Sequence, residues 1–132
     1  MMNRLIVLFT TTILFACSNS DDINTKVELV GNWRLIEVLA DPGDGSGTFA
    51  TVQSNKMITF EPDGVITSNG NLCDMSISSN MQTSGTYSKT NLTFKSDDCQ
   101  NPNHDFTFEQ NSNIIIINYP CIEPCMAKYK KT

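Results

Sequence analysis

Five cysteines stand in a chain of 132 residues, and their surroundings sort them into four and one. Cys73, Cys99, Cys121 and Cys125 fall in polar, turn-rich stretches of the body of the chain, whereas Cys17 ends an apolar N-terminal run of the kind that exports a protein. An even set of thiols in a small exported domain forms disulfides, because the compartment is oxidising and the core is too small to do without them. Four cysteines allow three pairings. With three residues between them, Cys121 and Cys125 are forced close, which favours that pair and leaves Cys73 to join Cys99. On the chain-entropy account the longer loop contributes about 3.5 kcal/mol and the shorter about 2 kcal/mol. A four-thiolate zinc site is the rival chemistry, and the oxidising compartment counts against it.

Carboxylates collect beside those cysteines. Asp41, Asp44, Asp74, Asp97, Asp98, Asp105 and Glu123 lie in the same long, polar stretches. Charge of one sign around a concavity would attract a cation or a basic partner; the plainer reading is solvated loops in an acidic protein. Asp41-Pro42-Gly43-Asp44-Gly45-Ser46-Gly47 offers hard oxygens on a flexible backbone, but lacks the closing bidentate Glu of a twelve-residue calcium loop. It reads as a mobile loop, and no metal is expected. His104, the single His, sits beside Asp105 and reads as a surface residue rather than a general base. The neighbours Asp97 and Asp98 should be hydrated, not poised for acid and base work. With no nucleophile elbow, phosphate loop or His pair, neither an enzyme nor a cofactor is expected. Nine basic against 14 acidic residues, a net charge of -5, also argue against a nucleic-acid partner.

These residues must be held by strands. From residue 26 onward no helical periodicity is sustained, and short alternating segments recur between turn residues. Eight strands are expected, over residues 32–40, 56–61, 64–68, 85–88, 91–96, 105–110, 113–119 and 126–130. Alternation turns Ile58, Phe60, Tyr87, Leu92, Phe94, Phe106, Phe108, Ala127 and Tyr129 inward. Residues 114–117 are Ile throughout and need cover on both faces, for which residues 27–30 are a candidate. Pro62-Asp63, Lys89-Thr90 and Asn111-Ser112 are tight hairpin turns, and they alternate with long connections. In an up-and-down meander every tight turn then falls at one end and every long loop at the other. The expected architecture is all-β: a single antiparallel barrel with one closed end and one elaborated mouth, where the four cysteines and the acids gather.

The N-terminus supplies an address. One positive charge precedes an apolar run over residues 5–16, too short for the roughly 20 residues of a spanning helix, so residues 1–16 read as a signal peptide. Leu14-Phe15-Ala16-Cys17 resembles the lipobox of bacterial lipoproteins, departing from it at Phe15. That resemblance implies cleavage before Cys17, its acylation, and a membrane partner through the acyl chains. Removal of residues 1–16 takes away Arg4 alone and leaves a net charge of -6. Residues 17–26 read as the lipidated Cys and a flexible tether, and residues 27–132 as the folded domain. Ser20-Asp21-Asp22 resembles an acidic signal that sends some lipoproteins to the cell surface. The expected location is therefore the outer membrane, lipid-anchored and facing the periplasm or the outside.

Gly31-Asn32-Trp33 stands at the entrance to the first strand and resembles the Gly-x-Trp signature that opens the lipocalin fold. The chain is similar over about residues 27–131 to a lipocalin-like bacterial lipoprotein. The resemblance implies that Trp33 packs across the closed base, beneath a cation near the last strand. Arg34 is the domain's one Arg, so either Lys128 or Lys130 takes that part or the cap is absent. The resemblance also implies binding of a small apolar or amphipathic ligand. A barrel of eight brief strands and many aromatics leaves little interior volume, so any pocket should be shallow and near the mouth. Asp41, Asp44, Phe49, Met75, Asp97, Asp98 and Met126, with Leu39 and Met81, are the candidate contacts there. The alternative is a protein-binding module similar to the lysozyme-inhibitor lipoproteins, blocking a basic protein through acidic, disulfide-braced loops. An envelope-structural lipoprotein is a third possibility.

Overall fold

A computed structural model describes residues 27–132; the expected signal peptide, Cys17 and tether lie outside the described residues. Nine strands follow in order: β1 (Gly31–Ala40), β2 (Ala50–Thr51), β3 (Met57–Phe60), β4 (Val65–Ser68), β5 (Thr83–Ser88), β6 (Thr93–Lys95), β7 (Phe106–Asn111), β8 (Ile114–Tyr119) and β9 (Cys125–Lys131). They form one antiparallel sheet in the order β2-β1-β3-β4-β5-β6-β7-β8-β9, and β1 pairs in addition with β9. First and last strands meet, so eight strands close a barrel and no long edge is left unpaired. The two residues of β2 are an appendage on the outer half of β1, through Glu37↔Thr51 and Val38↔Ala50.

Alternation built most of this wall. Ile58, Phe60, Ile66, Phe94, Phe108, Ile115, Ile117, Ala127 and Tyr129 are buried almost completely. At about 1.5 to 3 kcal/mol for each large apolar side chain removed from water, this inner layer is the main stabilising term. Leu92 departs from the expectation: it sits in the β5–β6 turn with φ 53° and is exposed. Ile114 and Ile116 are half-buried, and residues 27–30 do fold back across the base, where the Val27 carbonyl accepts a 2.8 Å bond from the Gln110 amide. Gly85 in β5 has a steric reason, since a Cβ there would lie 1.9 Å from the Lys95 carbonyl oxygen.

Within β1 the pattern reverses. Leu35 faces Tyr129 and Glu37 faces Lys128, which leaves Ile36 as an extra residue in a bulge. Before it Trp33 and Leu35 point inward; after it Val38, opposite Ala127, takes that direction and Glu37 and Leu39 turn outward.

The base is closed by chemistry at both chain ends. Trp33 is fully buried and donates its indole N–H to the Leu29 carbonyl at 2.8 Å. The Lys131 ammonium lies 4.8 Å from the centre of that indole and donates to the Glu28 and Val30 carbonyls. The cation over the Trp is thus Lys131, not Lys128 or Lys130. Lys128 points outward to Glu37, and Lys130 is exposed. Gly31 permits the arrangement: its φ is +121°, and a Cβ would meet the Lys131 Nζ at 3.2 Å.

Candidate functional site

All four long connections leave the barrel at the end opposite Trp33, and two disulfides brace them. Cys73 bonds Cys99, joining the β4–β5 and β6–β7 loops, and Cys121 bonds Cys125 within the β8–β9 loop. Their Cα atoms are 5.4 and 6.0 Å apart. All four thiols are consumed, which removes the four-thiolate zinc alternative.

The β4–β5 loop folds back as a lid. Leu72 plugs the core with no exposed surface, and Thr83 ties the turn by accepting the Leu72 N–H at 3.1 Å and donating to the Gly70 carbonyl at 2.6 Å. Beneath the lid stands Lys56, turned inward by the alternation that buries Ile58 and Phe60. Its ammonium donates to the carbonyls of Asp74, at 3.1 Å, and Ser76, at 2.7 Å. Burial lowers its pKa to about 8, partly opposed by the charge of Asp74. A buried ammonium is costly unless hydrogen-bonded, so this side chain and the lid hold each other in place.

Deeper inside, the hydroxyls of Tyr119 and Tyr129 are buried. They lie close enough to influence each other's ionisation, but neither makes a hydrogen bond of acceptable geometry with any described group. Burial chiefly, and the Asp74 carboxylate in addition, raise both pKa values above the ordinary phenol value.

Buried side chains line the barrel interior, and open volume appears beside the Cys73–Cys99 bridge. A cleft of about 430 Å³ opens between the two bridged loops. One wall is Asn71, Cys73 and Asp74; the other is Asp98, Cys99, Gln100 and Asn101, with His104 closing the side. Its apolar patch is Phe106 and Pro120. Phe106 is braced from behind, stacked on Phe94 at 4.9 Å and edge-on to Tyr119 at 6.0 Å. His104 stands edge-on to the same ring at 4.7 Å and is half-buried, so it is a cleft residue rather than a free surface group. Asp98 accepts the Ser84 N–H through Oδ2 at 2.8 Å, and Asp74 accepts from Asn71 and from the Ser76 N–H.

Of the contacts expected from sequence, Asp98 alone lines this cleft. Met75 is part of the lid and packs on the core. Asp97 is exposed next to the cleft without lining it. Asp41 is turned onto its own loop: its carboxylate accepts the backbone N–H groups of Gly43, Asp44, Gly45 and Gly47 at 2.7 to 3.2 Å. Those bonds, from Gly43 and Gly47 above all, lower its pKa, and the 41–47 segment is internally tied. Asp44 is similarly lowered by hydrogen bonds from the Ser46 hydroxyl and N–H. Phe49 and Met126 lie on the outside of the barrel. Met126 faces Leu39 after the β1 bulge, and the Lys128 ammonium lies 4.0 Å from the centre of the Phe49 ring. The sequence reading missed Asn71, Gln100 and Asn101 and undervalued Asp74 and His104. A disulfide between residues 73 and 99 carries the signal, because it makes the residues flanking each Cys face one another.

Charge is also concentrated here. The seven carboxylates named above share the mouth end with Lys56 and Lys95 alone, while the rest of the described chain carries five acids and five bases. The whole net charge of the described residues therefore belongs to the mouth. Among those residues no three His, Cys, Asp or Glu side chains converge as metal ligands.

A family model described as "Lipocalin-like domain" matches residues 29–117, about two thirds of the chain. No curated relative and no solved structure matches it.

Proposed function

The chain belongs to the lipocalin-like domain family, and from that premise we propose that it is a non-enzymatic binding protein for a small amphipathic ligand, held at the barrel mouth. The observation that carries this reading is the cleft of about 430 Å³ at the Cys73–Cys99 bridge, at the mouth of a barrel whose inward side chains are buried. Pockets of this size, part apolar and part polar, suit one small molecule. Phe106 and Pro120 would take its apolar part and the surrounding carboxylates and amides its polar part. Acyl chains on Cys17 would tether the protein to the outer membrane. The position of Val27 at the base supports a mouth directed away from that membrane, free to meet a ligand in the periplasm or outside the cell.

Native mass spectrometry of the protein purified from its own envelope tests the reading. A co-purified small molecule, released when the Cys73–Cys99 bridge is reduced, is the expected result. Repeated recovery of ligand-free protein would count against it.

One observation favours a second reading. Ile122 is fully exposed at the tip of the disulfide-closed 121–125 loop, on the end that carries the net charge. A rigid apolar tip among carboxylates suits docking on a basic protein. Binding to such a partner, weakened about tenfold or more by added salt and by Ile122→Ser, would support this alternative.

A further inference from the structure

We propose that the ligand of the mouth cleft is a cation: a small amine with an apolar body, its ammonium held between Asp74 and Asp98 and its body on Phe106. This deepens the small-ligand reading and rests on it. The cleft lining contains two carboxylates and no Lys or Arg. Lys56 offsets Asp74 from below, through the lid. Asp98 has no cationic partner among the described residues, and its Oδ1 accepts no hydrogen bond from them.

Apart from His104, the remaining polar lining offers oxygen acceptors that suit an ammonium. The Gln100 side-chain carbonyl can turn toward an N–H donor, while those of Asn71 and Asn101 already accept the Cys73 and Asn103 N–H groups and keep one lone pair each. Behind the Phe106 ring stands Tyr119, edge-on to it and within the influence of the Asp74 charge. An anionic ligand would meet two carboxylates with no counter-charge in the lining. A neutral ligand could donate to the free oxygen of Asp98 but would leave its charge uncompensated. The 430 Å³ volume limits the guest to a small molecule, and Phe106 with Pro120 rewards an aromatic or short aliphatic body.

Three probes of one shape separate the possibilities: 2-phenylethylamine, 2-phenylethanol and phenylacetate. Each is titrated calorimetrically into the purified full chain in detergent micelles, with empty micelles as the reference. The amine should bind at least tenfold more tightly than the alcohol, and phenylacetate should show no saturable binding. In the doubly substituted Asp74→Asn, Asp98→Asn chain the amine should fall to the level of the alcohol. Asn keeps an acceptor for the Ser76 and Ser84 N–H groups, so an unchanged near-ultraviolet circular dichroism spectrum should accompany the loss. Equal binding of amine and alcohol would overturn the cation assignment and leave the small-ligand reading standing. Absence of binding by all three would overturn both.

Discussion

The Lys56 ammonium, inside the barrel, donates a 2.7 Å hydrogen bond to the Ser76 carbonyl of the loop that covers the mouth. Hydrogen bonds from the wall thus hold the lid, part of which forms one side of the cleft beside the Cys73–Cys99 bridge. Two acceptor carbonyls, Asp74 and Ser76, would be orphaned by an apolar residue at this position.

Lys56→Met should therefore loosen residues 70–78 without unfolding the barrel. Amide hydrogen exchange in that segment should accelerate at least tenfold, while β8 and β9 keep their protection. The pH dependence has a defined sign. Lys56 titrates near pH 8 in the fold against 10.5 in the unfolded chain, so between those values the unfolded chain binds the extra proton. Stability then rises with pH in that window. Relative to Lys56→Met, the native protein should gain about 2 kcal/mol between pH 7 and 9.5, read from urea unfolding at both pH values. A constant difference would contradict the buried ammonium.

At the base, Gly31 and Lys131 form one unit. Gly31→Ala forces a residue with a Cβ to φ +121° and against the Lys131 Nζ, and should cost about 1 to 3 kcal/mol. Lys131→Met should cost about 1 kcal/mol by removing the cation from the Trp33 ring. Trp33 fluorescence during denaturation reads both. Because the two residues touch, the double variant should be less damaging than the sum of the single ones.

The two bridges should differ in weight. Replacing Cys73 and Cys99 by Ala should cost about 3.5 kcal/mol, against about 2 kcal/mol for Cys121 and Cys125, because the first closes the longer loop. The first pair should also abolish ligand retention, since it joins the two walls of the cleft. Equal stability losses, with retention intact in both variants, would contradict this division.

How far the sequence carries can be followed through β1. Period-two alternation and the turn residues were enough for eight strands, their order, a closed end and the grouping of four cysteines at the other end. The bulge at Ile36 was not legible, because nothing in Trp33-Arg34-Leu35-Ile36-Glu37-Val38-Leu39 marks which apolar residue is the extra one. That single insertion turned Leu39 outward, opposite Met126, and both were expected at the mouth. The two residues of β2 are too few for any periodicity. Lys56 escaped notice because a Lys at a strand entrance is ordinarily solvated, and only the carbonyls of a loop about 20 residues away make its burial tolerable. Asp41 is turned onto its own loop for a similar reason, since its four backbone donors depend on loop conformation. Asp98 lines the cleft because the neighbouring Cys99 fixes its position.

A ligand held in the mouth cleft and one held in the barrel interior would perturb different residues. The most direct measurement is a map of amide chemical-shift changes in the full chain on adding the molecule that co-purifies with it. Binding at the mouth should confine the changes to residues 71–74 and 98–106, with Trp33 and Phe108 in the lower barrel unmoved. Changes centred on Trp33, Phe60 and Phe108 would contradict it.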